Sequence, residues 1–460
     1  MKTRCLKYRL LTSLSLAAAL LLRAHPAPSL PSTGGDFPLS LQTPGKVPER
    51  IILGFVSDPA RSLAVTWRTS LAVETPRAEI APAGPTADFQ KDARSVPAAT
   101  SKLDLAKGAN AYHYRAIFEG LSPETTYAYR VGDGAVWSEW SHFRTASAAS
   151  KPFRFLALGD AQDGLKSLWS RAVRGAYAHA PDARFILSVG DITSDGWDDA
   201  RWSEFAYALG FIGTTMPFLA TPGNHDLHRP PTDPEKGTVV GVQPTWRAHL
   251  TAPGNGPKGF ETLRDTVWSL DYQGVRFLSL EANVYAEENF SESVKKLLYD
   301  AQPAWLEEQL KNNPNRWTVV IMHNPLYMVA KAVDFEELRK VFLPIFDRYH
   351  VDLVLAGHNH RYGRTPKLAG GRIVDPKAPG TVYTIMTSGP KTHVKNPQFD
   401  DLMAVTLDAS QMYQVVDVGP DRLRYESWDV VGTLVDSFEL RKDGAGRTEY
   451  VSPGRPAARK

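Results

Sequence analysis

Short apolar segments that alternate with polar residues dominate the chain from residue 49 to about residue 147. Turn-forming residues separate these segments at intervals of roughly ten residues, which is the spacing of an all-β sandwich. We therefore predict an N-terminal β-sandwich over residues 49–147. The segments that carry the alternation are RIILGFV, SLAVTWRT, AYHYRAIFEG, TYAYRVGDG and WSHFRTA.

The pattern changes after residue 152, where apolar runs alternate with amphipathic segments of helical length. This alternation indicates an α/β domain, which we place at residues 152–440. Its last part returns to a strand-and-turn pattern and predicts a C-terminal β segment at the edge of that domain. Residues 441–460 are predicted to be a disordered tail. The predicted helices span residues 165–179, 199–210, 293–312 and 334–349.

The first residues have a pattern of their own, with a basic head and then the apolar stretch LLTSLSLAAALLL. This predicts a secretory signal peptide over residues 1–24 and a secreted or periplasmic protein. A single-span anchor is the alternative, but the apolar stretch is shorter than the roughly 20 residues that a bilayer requires. After removal of the signal we expect no membrane span. Residues 25–48, rich in Pro, Ser and Gly, predict a linker.

Composition narrows the classes of function. Hydrophobic residues make up 43% and charged residues 22% of the chain, as in ordinary soluble proteins. The formal net charge of +3 becomes −2 when the five basic residues of the predicted signal are removed. No concentrated basic face remains, so nucleic acid is not an expected partner. The single cysteine, Cys5, lies in the same leader, so the mature chain would have no disulfide, which favours a periplasm.

Side chains of metal-binding type follow five of the apolar runs. Each motif alone is weak, because Gly-Asp after a strand is often a turn and a lone histidine is often a core residue. In α/β sheets, however, ligands bind beyond the carboxyl ends of the strands, so we expect these residues to meet. The residues at the five strand ends are Asp160, Asp191, Asn224 with His225, His323, and His358 with His360.

Two metal ions that share a carboxylate need about seven protein ligands. Carboxylate, amide and imidazole donors without thiolate suit Mn, Fe, Zn or Co. A hydroxide held between two such ions attacks a phosphate ester at neutral pH. His225 is the candidate to stabilise the transition state or to protonate the leaving group, and Asp226 is a weaker candidate to orient it. The candidate metal ligands are Asp160, Gln162, Asp191, Asn224, His323, His358 and His360.

The order Gly-Asp, Gly-Asp, Gly-Asn-His-Asp, strand-His and Gly-His-x-His resembles the calcineurin-like metallophosphoesterase superfamily. The β-sandwich and the terminal VVGTLVDSFEL resemble the purple acid phosphatases over about residues 45–440, and FEGLSPETTYAYRVGDG resembles part of a fibronectin type III module. The resemblance implies an all-β, fibronectin type III-like sandwich followed by a four-layer αββα domain with two metal ions.

The resemblance also assigns ligands, with Asp191 bridging the two ions. It places one ion between Asp160, Asp191 and His360. It gives the other ion the ligands Asp191, Asn224, His323 and His358. The continuation HRYGR then suggests that Tyr362 or Arg364 lies at the edge of the site.

Two positions depart from the family pattern. Purple acid phosphatases have a tyrosine three residues after the bridging aspartate, and this chain has Ser194. Many superfamily members have a histidine where this chain has Gln162, whose carbonyl oxygen would be a neutral donor. We therefore expect a relative that is not purple, with Mn or Zn in a more labile first site.

The sequence thus predicts an exported dinuclear-metal phosphomonoesterase that acts on small-molecule or protein-linked phosphate esters through a metal-bridging hydroxide. A phosphodiesterase with the same ions is the first alternative. Its pocket would be lined by residues such as Trp197, Trp202, His228 and Tyr327, although Trp202 and Phe205 better fit a packed helix face. A secreted binding or adhesion protein with an inert phosphatase domain is the second alternative.

Overall fold

The computed structural model describes residues 43–103, 111–227, 241–259, 264–283, 295–330, 334–408 and 411–452. The predicted signal peptide, most of the predicted linker, His228 and residues 453–460 lie outside these ranges. Among the described helices, none combines the length and the apolarity that crossing a bilayer requires.

Within the described residues, seven antiparallel strands form the N-terminal domain, in the spatial order β1-β2-β5-β4-β3-β6-β7. Strand β4 passes from one layer of the sandwich to the other. Its residues 94–97 pair with β3, and its residues 98–103 pair with β5. The alternation in the sequence missed β3 and β4. Strand β4 fully buries only Val96 and contains Pro97, so it carries almost no apolar periodicity. The strands are β1 Glu49–Gly54, β2 Leu63–Thr69, β3 Arg77–Pro82, β4 Arg94–Leu103, β5 Ala111–Phe118, β6 Thr126–Gly132 and β7 Ser141–Arg144.

The strands of the second domain follow from residue 153. They are β8 Phe153–Leu158, β9 Ile186–Ser188, β10 Phe218–Ala220, β11 Trp268–Tyr272, β12 Val275–Leu280, β13 Trp317–Met322, β14 Leu353–Ala356, β15 Tyr362–Ala369, β16 Arg372–Ile373, β17 Thr381–Ile385, β18 Val405–Leu407, β19 Met412–Val418, β20 Arg422–Asp429, β21 Leu434–Lys442 and β22 Thr448–Val451. One sheet has the order β10-β9-β8-β19-β20-β21-β22, and the other has the order β11-β12-β13-β14-β17-β15-β16 with β18 beside β15.

The helices lie between these strands along the chain. Those of the described residues are α1 Ser170–His179, α2 Asp199–Leu209, α3 Ile212–Thr215, α4 Pro244–His249, α5 Gln302–Lys311 and α6 Glu336–Tyr349. A π-helical turn at Leu165–Trp169 precedes α1, and another at Leu297–Ala301 precedes α5. The four predicted helical segments therefore all form helices, with ends that differ from the prediction by a few residues at most where the structure describes them.

The two sheets pack face to face with helices outside them, because the side chains of each strand alternate between two cores. On β8, Phe155 and Ala157 enter the core between the sheets, while Leu156 and Leu158 enter the core that also contains residues of α1 and α2. Phe155 meets Phe277 of the other sheet edge-on, with 5.3 Å between ring centroids. This arrangement is the predicted all-β domain followed by an α/β domain with two sheets and two helical layers.

The C-terminal segment extends the first sheet. Strand β19 pairs antiparallel with β8, and β20, β21 and β22 follow in order, so β8 is covered on both edges. The prediction of a disordered tail from residue 441 is wrong for residues 441–452. Strand β21 continues to Lys442, and residues 448–451 pair with residues 439–442 of β21. The tail was misjudged because its Gly-Ala-Gly turn and charged residues resemble an unstructured end, although they form a hairpin.

A buried polar cluster joins the N-terminal domain to the α/β domain. Asp199, the first residue of α2, accepts hydrogen bonds from Arg50 of β1 at 2.7 and 2.9 Å and from Arg68 of β2 at 2.8 Å. Arg50 also lies 3.1 Å from Nε2 of His249, the last residue of α4. Because α2 and α4 both adjoin loops of the site described below, this cluster fixes those loops relative to the sandwich.

Candidate metal centre

The five predicted strand ends come together, but they belong to two sheets and not to one. Strands β8, β9 and β10 are parallel neighbours in the first sheet. Strands β13 and β14 are parallel neighbours in the second sheet. The site therefore lies where the carboxyl ends of both sheets meet. A hydrogen bond spans this junction, because the amide of His358 after β14 donates to Asp160 after β8 at 2.9 Å.

One group of donor atoms contains Asn224, His323, His358 and Asp191. Nε2 of His323 lies 3.3 Å from Oδ1 of Asn224, 3.4 Å from Oδ2 of Asp191 and 3.3 Å from Nδ1 of His358. Nδ1 of His358 is 3.1 Å from the same Asn224 oxygen. Donors bound to one ion at about 2.0–2.2 Å are separated from one another by about 3.0–3.5 Å. The spacing therefore fits a single metal ion.

The second group contains Asp160, Asp191 and His360, whose donor atoms lie within 4.8 Å of one another. All three residues are buried, and Nε2 of His360 lies 3.7 Å from Oδ1 of Asp160. Asp191 belongs to both groups, which is the geometry that a bridging carboxylate requires. The donor set, with no thiolate, fits Mn, Fe or Zn.

Gln162 lies in the second group, but its carbonyl oxygen does not face the other donors. Its Nε2 lies 2.8 Å from Oδ2 of Asp191 and 3.0 Å from Nε2 of His360. Its Oε1 accepts a hydrogen bond from Nζ of Lys391 at 3.1 Å. An amide that coordinated a metal ion through oxygen would have to be turned the other way. Gln162 is thus part of the site, and its orientation links the donors to Lys391.

Four of the donor residues have strained backbones. The φ angles are +51° at Asp160 and Asp191, +69° at His358 and +49° at His360. This left-handed region is unfavourable for residues other than glycine, and such strain is concentrated at functional sites. Close packing adds a further constraint, because a Cβ atom at Gly223 would lie 2.1 Å from Oδ1 of Asp191. Only glycine lets the Asn224 loop approach the shared carboxylate.

Backbone carbonyls fix the histidine rings. Nδ1 of His323 donates to the carbonyl oxygen of Val189 at 2.8 Å, which leaves Nε2 free to bind a metal ion. Nδ1 of His225 donates to the carbonyl oxygen of Ser194 at 2.9 Å, and the His225 amide donates to Oδ1 of Asp191 at 2.9 Å. The other ring nitrogen of His225 is therefore available for proton transfer.

Buried charges shift the pKa values of the donor residues. Burial alone would raise the pKa of Asp191, but the charge and hydrogen bond of His323 hold it below its usual range. Burial would lower the pKa of His323, but the carboxylates of Asp191 and Asp160 raise it to about 9. The raised pKa of His323 reports the negative charge of the two carboxylates, which favours cations, and the lowered pKa of Asp191 keeps its carboxylate ionised. Burial, followed by the charge of Asp191, raises the pKa of Asp226.

The prediction that Asp226 orients the ring of His225 is wrong. The Asp226 carboxylate instead accepts hydrogen bonds from the amides of Gly223 at 2.8 Å and Ile192 at 3.3 Å. Asp226 therefore fixes two loops of the site. The ring of His225 is held by the backbone carbonyl of Ser194, a contact that no residue motif predicts.

The prediction that Tyr362 or Arg364 lies at the edge of the site is wrong. Arg364 binds both carboxylate oxygens of Asp436 at 2.6 and 2.8 Å, and the Tyr362 hydroxyl donates to Asp436 at 2.6 Å. Tyr362 also belongs to the core between the sheets. Because β15 starts at Tyr362, the alternation of the strand directs these side chains into the protein.

The aromatic residues considered for a pocket are mostly core residues. Trp202 stacks on His249 with 4.4 Å between ring centroids, and Phe205 packs against Trp169 at 5.5 Å. Tyr327 is buried between Tyr383 and Phe399. Trp197 is half-buried, so among the described residues of this set it is the one that a ligand could contact.

Lys391 is the residue of the site that sequence reasoning missed. It follows β17, which is parallel to β14 and ends at the same edge of the second sheet. The rule that located the other residues, a polar group after the carboxyl end of a parallel strand, also applies here. The segment TSGPKTH contains none of the family motifs, so position after a parallel strand is the one signal that points to Lys391.

The fold and the two groups of donors define a metallophosphoesterase-type domain. Residues 48–145 match the family described as Purple acid Phosphatase, N-terminal domain, and residues 153–362 match the family described as Calcineurin-like phosphoesterase. Residues 153–362 therefore form a calcineurin-like phosphoesterase domain, and residues 48–145 form an N-terminal domain of the purple acid phosphatase type. The predicted membership is thereby confirmed.

Individual relatives agree with this membership. An uncharacterised protein of Mycobacterium tuberculosis is 25% identical over 356 residues, which are 72% of this chain and 65% of the relative. Purple acid phosphatase 23 of Arabidopsis thaliana is 26% identical over 322 residues, 63% of this chain and 64% of the relative. The chain thus spans slightly less than two thirds of the length of these two relatives.

A solved structure has the same fold. The structure of purple acid phosphatase PPD1 from yellow lupin (Lupinus luteus) seeds superposes with a TM-score of 0.70. The two chains are 17% identical, and the match covers 87% of this chain and 75% of the lupin chain. The two chains therefore share their fold.

Proposed function

We propose that this protein is a dinuclear-metal phosphomonoesterase. The observation that carries the proposal is the position of Asp191, whose carboxylate is shared by the two groups of donor atoms at the junction of the sheets. Two bound ions would supply the positive charge that activates water and neutralises phosphoryl oxygens. The remaining steps depend on side chains of this chain.

His225 is proposed as the group that donates a proton to the leaving oxygen. Its amide donates to the shared carboxylate and its Nδ1 donates to the carbonyl oxygen of Ser194, so the residue is held next to Asp191 with Nε2 not engaged by Ser194. General acid catalysis requires a proton donor fixed within hydrogen-bond reach of the leaving group. The ring of His225 is only partly buried, which leaves room for a substrate.

Export is part of the proposal, and it depends on the sequence pattern of residues 1–24 alone. A basic head followed by an apolar stretch and small residues is typical of a secretory signal. The proposed metals are Mn, Zn or Fe, because the donors are imidazole, amide and carboxylate. The inert binding protein is disfavoured, because all seven predicted donor side chains are present and adjacent, with Gln162 alone turned away.

The test compares hydrolysis of p-nitrophenyl phosphate and bis(p-nitrophenyl) phosphate by protein reconstituted with Mn, Zn or Fe. We expect faster cleavage of the monoester and a loss of at least 10³-fold in Asp191→Asn, because the shared carboxylate holds both ions. Preferred cleavage of the diester would move the function to a phosphodiesterase. Cleavage of neither ester with any metal would overturn the proposal and leave the binding protein.

A further inference from the structure

Lys391 places a cation beside the proposed metal centre. Its Nζ donates to Oε1 of Gln162 at 3.1 Å, and the other end of the same amide lies 2.8 Å from Asp191 and 3.0 Å from His360. One neutral side chain therefore separates the ammonium group from the shared carboxylate. The side chain of Lys391 is only partly buried, so solvent or a ligand has access to it.

Lys391 lies in the segment of residues 388–396, which begins with a close contact to the site. Ser388 donates from its amide and its hydroxyl to the carbonyl oxygen of Gly159, at 2.8 and 2.6 Å. Gly389 then lies so close to the backbone that a Cβ atom there would be 2.2 Å from the carbonyl oxygen of Asp160. Any larger residue would push the segment away. The start of the segment is thus fixed on the strand end that carries Asp160.

The rest of the segment is fixed as well. Arg361 donates from Nε to the carbonyl oxygen of His393 at 2.6 Å, and the ring of His393 packs edge-on against His360 with 4.5 Å between centroids. The amide of Asn396 donates to the carbonyl oxygen of Val329 at 2.9 Å. Lys391 therefore extends from a loop held on both sides, and its position is not that of a free surface lysine.

Lys391 has no carboxylate partner in the described part of the chain, where none of the ion pairs involves it. Its neighbour in the segment, Lys395, has one, because its Nζ lies 2.5 Å from Oδ2 of Asp400. A partly buried ammonium group that binds only a neutral carbonyl keeps most of its charge uncompensated. Such a cation attracts an anion that enters the site.

We propose that Lys391 binds a non-bridging phosphoryl oxygen of the substrate and sets the preference for phosphomonoesters. This inference deepens the proposed function and rests on it for the identity of the reaction. A monoester at neutral pH carries close to two negative charges, whereas a diester carries one and has one fewer terminal oxygen. An additional cation beside the two ions stabilises the dianion more than the monoanion, because the Coulomb energy scales with the charge.

The experiment uses Lys391→Met, Lys391→Arg and the control Lys395→Met, each as full-length protein reconstituted with the same metal. Inorganic phosphate is the probe in isothermal titration calorimetry, and both p-nitrophenyl esters are the substrates. A charge-assisted hydrogen bond to phosphate corresponds to a change of about tenfold to a hundredfold in affinity. We expect Lys391→Met to weaken phosphate binding by that factor, and Lys391→Arg to restore it to within about fivefold.

The esters give a second readout. We expect Lys391→Met to lower kcat/KM for the monoester by about tenfold to a hundredfold and for the diester by less than about threefold. Lys395→Met should change neither, because it removes only an exposed ion pair. Equal losses on both esters with unchanged phosphate binding would overturn the inference, as would no change in either readout.

The phosphate titration also separates this inference from the proposed function. If the unaltered protein cleaves neither ester, the proposed function fails. Weaker phosphate binding by Lys391→Met than by Lys395→Met would then still support an anion site at Lys391. Equal binding by both variants would refute that site.

Discussion

Nδ1 of His225 lies 2.9 Å from the carbonyl oxygen of Ser194, at the position where purple acid phosphatases carry a tyrosine. The backbone and the side chain of Ser194 therefore have different consequences for the site. Its backbone orients the proposed general acid, and its side chain supplies no phenolate. The loop that contains it is fixed by Trp202 and Thr245, which donate to the carbonyl oxygen of Gly196 at 2.9 and 2.7 Å.

Replacement of His225 by alanine should have an effect that depends on the leaving group. An alkoxide is a poor leaving group and needs a proton, whereas p-nitrophenolate needs little help. We expect His225→Ala to lower kcat for glycerol phosphate by about 10²-fold or more, and for p-nitrophenyl phosphate by less than about tenfold. Steady-state kinetics on both substrates measures this difference.

The control is His142→Ala, since His142 is an exposed histidine on β7 of the N-terminal domain. It should leave both rates unchanged. Equal losses on the two substrates in His225→Ala would mean that His225 acts on binding or on the metal site and not as a proton donor.

The absence of a tyrosine at position 194 predicts the colour of the iron-loaded protein. The visible band of a purple enzyme requires charge transfer from a phenolate to Fe(III), and a serine cannot provide it. We expect the absorption spectrum of protein reconstituted with iron to show no strong visible band. A strong band in the unaltered protein would refute the assignment of ligands.

Much of the fold could be predicted from the sequence. A helix or strand that buries one face has apolar residues at regular intervals, and these intervals can be recognised in the sequence. The four predicted helical segments and the strand ends that carry Asp160, Asp191 and His323 follow this rule. Strand β3 gives a weak signal, because Ile80 is the only large side chain that it buries. Strand β4 gives less, because it fully buries only Val96 and contains Pro97. Periodicity reports burial, so a strand that buries one side chain leaves no signal.

The candidate metal ligands could be predicted from the sequence, but the contacts that hold them in place could not. Motifs of residue types locate Asn224 and His358 before the structure is known. The contact of Gln162 with Lys391 joins residues 229 positions apart in sequence, and only the packing of both sheets brings them together. The bond of His225 to Ser194 uses a carbonyl, which every residue has. Neither contact can therefore be inferred from the sequence alone.

The buried pair of Arg50 and Asp199 predicts how acid affects stability. Burial would raise the pKa of Asp199, but the charges of Arg50 and Arg68 hold it below its usual range. The stabilisation by the ionised carboxylate is therefore complete above the unfolded pKa of about 3.9 and is lost as the pH falls through the lower folded value. Removing one partner of a buried ion pair costs about 3–5 kcal/mol.

We therefore expect Asp199→Asn to lower the free energy of unfolding by about 3–5 kcal/mol from pH 7 to about pH 4.5, and by less at lower pH. Urea titrations of metal-free protein at several pH values measure this difference. The control is Asp182→Asn, which alters an exposed pair with Arg154 and should cost less than about 1 kcal/mol. A difference that grows on acidification would contradict the assigned charge state.

Replacement of Gly223 tests how closely the Asn224 loop packs against the shared carboxylate of Asp191. A Cβ atom at this position would lie 2.1 Å from Oδ1 of Asp191, so Gly223→Ala must displace that side chain or the loop. We expect at least a tenfold loss of metal affinity, measured by competition with a chelator. The matched control is Gly254→Ala, where a Cβ atom would meet open space, and its metal affinity should be unchanged.

The most direct test of the dinuclear site is a titration of metal-free protein with Mn²⁺, in which bound metal and phosphomonoesterase activity are measured together. Because Asp191 is shared by two groups of donors, we predict binding that saturates at two ions per chain. We also predict activity that rises only as the second ion binds. Full activity at one ion per chain, or saturation at one ion, would contradict the account.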